Sequence, residues 1–112
     1  MDSILESIKK MLGIQPEYRV FDQDLMIHIN TVLAILQQMG VGPSEGFLLE
    51  DGSEIWDEYI DKEQLVMVKT FIYLKVKLIF DPPGSGILVE NIKSQISELE
   101  WRLVLEGGEH NE

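Results

Sequence analysis

The sequence contains no cysteine. That single absence excludes a disulfide framework, a thiolate metal site and a cysteine nucleophile. Positive charge is scarce. Nine lysines and arginines stand against twenty aspartates and glutamates, a formal net charge of -11 over 112 residues. A surface this negative repels phosphates, which disfavours tight electrostatic binding to nucleic acid or to an anionic membrane. Long apolar runs are also missing. The richest stretch, Leu65 to Phe80, is shorter than the roughly 20 residues needed to span a bilayer. It also contains Lys69, Lys75 and Lys77, each costing about 2.5–3.5 kcal/mol near a bilayer centre. Met1 is followed by Asp2, Ser3 and Glu6, without the basic region and apolar core of a secretory signal. The expectation is a soluble protein, intracellular where it is made.

What is present is an ordinary globular composition, 45% apolar and 26% charged, enough for one domain with one modest core. Ser3 and Glu6 have capping-box spacing, and Ile4, Leu5, Ile8, Met11 and Leu12 follow at helical intervals before Gly13. This predicts a short helix from about Ser3 to Leu12. Gln15-Pro16 then breaks the chain. A second helix is predicted from an N-cap at Asp22, with Leu25, Ile29, Val32, Leu36 and Met39 on one face and Gly40 as its stop. Phe47-Leu48-Leu49 reads either as a short strand or as an extended loop. A short helix is expected near Glu54 to Ile60, capped by Ser53 or Glu54 and carrying Trp56 and Tyr59.

Residues 44–63 hold eight acids (Glu45, Glu50, Asp51, Glu54, Asp57, Glu58, Asp61 and Glu63) and one base, Lys62, most of the chain's charge excess. A long helix from about Lys62 to Phe80 is apolar nearly all round, with Leu65, Val68, Ile72, Val76 and Ile79 as its main stripe. Such a helix belongs at the centre of a domain or under partners. Asp81-Pro82-Pro83-Gly84 ends it. A last helix is predicted from about Ile87 to Leu105, with Leu88, Ile92, Ile96, Leu99 and Leu103 on its stripe and an ion pair between Glu98 and Arg102. The expected fold is all-α: a small bundle of about four main helices with one short extra helix, a single domain over residues 1–105 and a flexible tail over 106–112, where Gly107-Gly108 favours fraying.

No constellation of catalytic residues is complete. Asp24 and His28 share a helix face, but no nucleophile or third ligand accompanies them, and a surface hydrogen bond is the expected use. Glu50 to Glu54 lacks the alternating ligands of a calcium loop. Gly84-Ser85-Gly86 lacks the lysine and spacing of a phosphate loop, and the prolines before it indicate a rigid turn. The lysines at 69, 75 and 77 lie on a helix that demands burial, which suits stems laid over a core or contacts with a neighbouring subunit's acids. Trp101 lies off the stripe of the last helix, so a core place and a partner-binding place are equally compatible with its spacing. The residues alone describe an assembly or interaction module, with no enzyme activity, metal or cofactor expected.

The order of Ile8-Lys9-Lys10-Met11-Leu12-Gly13-Ile14, Phe21-Asp22-Gln23-Asp24, Ile27-His28-Ile29-Asn30 and Gln37-Gln38-Met39-Gly40-Val41-Gly42-Pro43 resembles small acidic proteins of tailed-phage and prophage head-morphogenesis modules. So do Lys75-Val76-Lys77-Leu78-Ile79-Phe80-Asp81-Pro82-Pro83 and Gln95-Ile96-Ser97-Glu98-Leu99-Glu100-Trp101-Arg102-Leu103. The resemblance is to head–tail connector proteins, also called head-completion or adaptor proteins, over about residues 3 to 105. It implies an all-helical subunit that assembles with itself into a ring beneath the portal vertex, extends the DNA channel without gripping the DNA, and docks the tail or a stopper protein. It implies a place at the head–tail interface of the virion, reached from the host cytoplasm during assembly. On this reading the partner contact falls on Leu99, Trp101, Arg102 and Leu103, and contacts between ring neighbours on Lys69, Lys75 and Lys77. The alternative from another class is a small acidic regulatory or adaptor protein that binds one host protein through its last helix.

Overall fold

The computed structural model describes residues 3–110, and these form five helices: α1 (Ile4–Leu12), α2 (Asp22–Gln38), α3 (Trp56–Tyr59), α4 (Lys62–Phe80) and α5 (Gly86–His110). The all-α expectation holds. Ser3 caps α1 by accepting the Glu6 N–H at 3.0 Å. Gly13 ends the helix in the left-handed region, at φ 83°, where a residue with a Cβ is strained. α2 stops before Gly40, as expected. α5 continues through His110, past the boundary expected at Leu105, and residues 111 and 112 lie outside the described part.

Two expectations about caps fail, for related reasons. Asp22 is the first residue of α2 rather than its cap, and Phe21 stands at the cap without a side-chain bond. The Asp22 carboxylate is drawn instead to Lys9. Neither Ser53 nor Glu54 caps α3. Ile55 holds that position, and its N–H donates to Glu58 at 2.9 Å. The ambiguous Phe47–Leu49 stretch is an extended loop, and the one bridge in the vicinity joins Ser3 to Ile55.

α4 is the centre of the domain. α1, α2 and α5 all pack on it, so Val68, Phe71, Ile72, Leu74 and Val76 are buried around most of its circumference. This is the burial demanded by a helix apolar on all sides. The core adds Ile4 and Ile8 from α1, and Leu25, Ile29, Val32 and Leu36 from α2. Trp56 is buried too, and its indole N–H donates to Ser7 Oγ at 2.9 Å, tying α3 to α1. Two stripe positions fall outside the core. Ile79 and Leu88 are exposed; they lie in the last turn of α4 and the first turn of α5, on either side of the Pro82-Pro83 break.

The residue least expected in the interior is Lys9, which is 1% exposed. Its ammonium donates to the carbonyls of Pro16 at 3.0 Å and Tyr18 at 2.8 Å and lies 2.8 Å from Asp22 Oδ1. An ammonium has three donors, and here three oxygens surround it. Beside this anchor, Phe21 meets Phe80 edge-on with ring centroids 5.1 Å apart, fixing the 13–21 loop against the end of α4.

Both kinds of core contact are open to measurement by chemical denaturation. Ile72 is 0% exposed, so Ile72→Ala should cost about 2–5 kcal/mol; a loss under about 0.5 kcal/mol would be the behaviour of a surface position. Lys9→Ala removes the buried cation and leaves Asp22, among the described residues, with only the exposed Arg19 guanidinium at 3.5 Å, and should cost about 3–5 kcal/mol.

Candidate functional site

α5 makes its main packing contact with α4 alone. One stripe is therefore turned inward: Ile96 and Leu103 are buried, and Ile92 and Leu99 are partly buried against the core. At 100° per residue, Ile87, Trp101 and Leu105 fall on the opposite side. All three are exposed, Trp101 at 63%. Of the four residues expected to bind a partner, the structure thus separates two pairs. Leu99 and Leu103 seat the helix on α4, whereas Trp101 faces outward and Arg102 is exposed on the flank, lining a groove with Met67 and Thr70 of α4. Arg102 reaches back one turn to Glu98 at 3.0 Å, the pairing read from the sequence.

Lys69, Lys75 and Lys77, the α4 lysines expected at a subunit contact, do not form one patch. Lys69 Nζ lies over the Trp56 ring, 5.8 Å from its centroid, and Lys75 Nζ lies at the same distance over Phe71. Lys77 pairs with Asp81 at 3.0 Å. Spacings of six and two residues point them to different sides of the helix, and each cation already has a partner within the chain.

The acidic segment is shaped by its own carboxylates. Glu54 accepts the backbone N–H groups of Glu50 at 2.7 Å, Gly52 at 3.0 Å and Asp51 at 3.4 Å. Asp51 accepts from the Ser53 hydroxyl at 2.6 Å and its N–H at 2.9 Å. These bonds make a tight acidic turn. Burial raises the Glu54 pKa, but its backbone donors outweigh that and hold it below the ordinary carboxylate value. Asp51 is held low chiefly by the Ser53 hydroxyl. Asn30 fixes the preceding residue from α2, donating to the Leu49 carbonyl at 3.0 Å while its own amide oxygen accepts the Leu49 N–H at 2.7 Å. Nothing in the sequence singled out Asn30; a polar residue beside the α2 stripe was the only available signal.

The remaining candidates have structural roles or none. His28 is half-buried, Asp24 is exposed in the first turn of α2, and among the described residues the expected bond between them is not formed. Ser85 Oγ sits 3.5 Å from the Leu88 N–H at the start of α5, a loose cap rather than a phosphate cradle. Tyr59 is buried with its hydroxyl unpaired, and burial pushes its phenol up. Among the described residues no group of three or more histidines, aspartates or glutamates is placed to hold a metal ion, and no helix is long and apolar enough to cross a membrane.

The sign of the Glu54 shift sets a pH dependence. A carboxylate held below its ordinary pKa of about 4.3 stabilises the turn above that pH and loses the contribution as pH falls through its lower folded value. The Glu50 and Gly52 amide resonances should therefore move toward random-coil positions on acidification below about pH 4, and should already be displaced at neutral pH in Glu54→Gln. Amide resonances unmoved by acid would remove Glu54 as the organiser of this turn.

A family model described as phage connector protein matches residues 4–110. No curated protein and no solved structure matches the chain. The match runs from the first turn of α1 to the end of α5, so it takes in the α4 core, the acidic turn and the outward face of α5 together. The chain therefore belongs to the phage connector protein family, a family of structural proteins.

Proposed function

We propose that this protein is a head–tail connector subunit that forms a homo-oligomeric ring under the portal, extends the DNA channel and docks the tail or a stopper protein. Family membership over residues 4–110 supports the connector role. The observation that carries the assembly role is the uncovered side of α5, where Trp101 stands exposed on a helix whose main packing is against α4. An indole held out on a rigid helix is a large anchor at small cost in conformational freedom, and Trp and Arg are the types most enriched at interface hot spots.

On this reading Trp101 and Arg102 engage the portal or a ring neighbour, while Leu99 and Leu103 hold the helix in place from beneath. Lys69, Lys75 and Lys77 point to different sides of α4, so any contact they make with a neighbour is made singly, in exchange for weak partners that they already hold. A subunit with a net charge of -11 lets DNA slide through a channel rather than stick to it. The protein acts without a cofactor, in the host cytoplasm during assembly and at the head–tail interface of the finished virion.

Trp101→Ala decides the matter. Its thermal unfolding should match the parent chain to within about 0.5 kcal/mol, as for an exposed site, while capture by the portal and incorporation into particles fall at least about tenfold, the scale of a hot-spot loss. A mutant that is destabilised as an isolated subunit, or one that assembles normally, would sink the assignment. His28→Gln should leave both stability and assembly nearly unchanged.

A further inference from the structure

A groove of about 480 Å³ lies between α2 and the loop that follows it, with no lining residue from α4 or α5. Leu5, Met26, Ile27 and Leu49 supply apolar lining, and Glu50 and Asp51 stand at its rim. Ile27 is 63% exposed, an aliphatic side chain left in water on a helix whose other face is well buried.

The groove has fixed walls. The Asn30 side chain clamps both backbone groups of Leu49. The Glu54 carboxylate gathers the N–H groups of the Glu50–Gly52 turn. Gly52 sits at φ 90°, where an added Cβ would stand 3.0 Å from Leu5 Cδ2, so the turn closes on α1 only with glycine there. None of these bonds uses the Glu50 carboxylate, which is left facing solvent. Among the described residues no lysine or arginine pairs with Glu50 or Asp51. The third carboxylate in the lining, Asp22, is held by Lys9.

An apolar floor under an unpaired anionic rim is complementary to a segment carrying a cationic head beside aliphatic groups. A low-dielectric wall strengthens the attraction of such a rim for a cation. The same rim repels phosphates, which excludes nucleic acid as the occupant. A second copy of this chain has little to offer it. Lys9 is buried, and Lys69 and Lys75 lie over aromatic rings. Arg19, Lys77, Lys93 and Arg102 each have a carboxylate of their own chain beside them, so bringing one to the rim brings an acid with it. That leaves Lys10 and Lys62, on different helices, among nine basic residues. We propose that the groove between α2 and the Leu49–Asp51 loop is a docking site for a basic, apolar segment of a different protein. The proposal does not rest on the connector reading or on the role of α5.

The test uses the full chain, isotopically labelled for amide resonances, and a capped pentapeptide of alternating leucine and arginine. Saturable shifts are expected at Ile27, Asn30 and Leu49 to Gly52. Glu50→Lys and Ile27→Ser, both at exposed positions, should each weaken binding roughly tenfold while leaving the melting curve in place. Raising salt from about 0.05 to 0.5 M should weaken it several-fold, because the rim charges are at the surface. A leucine–glutamate peptide should not bind, and pentalysine should bind more weakly than the leucine–arginine peptide. The proposal is overturned if no saturable shift occurs, if shifts lie elsewhere, if the substitutions have no effect, or if pentalysine binds as well, since the apolar floor would then be irrelevant. It is equally overturned if dilution of the free protein moves the same resonances, which would make a second copy the occupant.

Discussion

A buried ammonium organises one end of this domain. Lys9 projects from α1 into a site where the Pro16 and Tyr18 carbonyls and the Asp22 carboxylate converge on it. The Asp22 contact is close but off the line of a good hydrogen bond, so charge carries it. Burying a cation is costly unless its donors are met, and that cost makes the arrangement specific. The 13–21 loop can take only a path that delivers two carbonyls to one point, and α2 must begin where Asp22 closes the set. The direction in which α2 leaves α1 follows from this, and so does the seating of Phe21 against Phe80.

From that end the rest of the core is built outward around α4. Once α1 and α2 cover much of its circumference, the side that remains receives α5. A helix added to a single neighbour buries one stripe and leaves the other side bare. The bare side holds Ile87, Trp101 and Leu105. The exposure of Trp101 is therefore a consequence of architecture: a fourth long helix has one partner, where a closed four-helix bundle would give it two.

The long connection between α2 and α4 follows a different principle. Between its buried anchors its path is set by polar side chains bonded to backbone: Asn30 on Leu49, Glu54 on the Glu50–Gly52 turn, Glu58 on Ile55. Val41, Leu49, Trp56, Tyr59 and Ile60 then pin it to the core along its length. Most acids of this segment stay exposed, and the two with lowered pKa values, Asp51 and Glu54, are lowered by hydrogen-bond donors within the segment itself.

The sequence by itself determined the helices and the centrality of α4, because apolar periodicity, caps and breakers act over a few residues and are written in order along the chain. The order of its motifs also carried the family. It could place Trp101 off the stripe of α5, but not decide whether a further helix would cover that side, since the answer depends on how many neighbours α5 has. It gave Lys9 the look of an ordinary surface lysine beside Lys10, because the carbonyls that hold it come from a loop with no regular pattern. It made Asp22 a cap and gave Asn30 no role, because their partners are brought close only by the tertiary path. It grouped Lys69, Lys75 and Lys77 by proximity in the chain, whereas helical geometry sends them to different sides. Local rules fix which segments are helical; which polar side chains are buried and which apolar ones are left in water is decided only when segments distant in sequence compete for the same space.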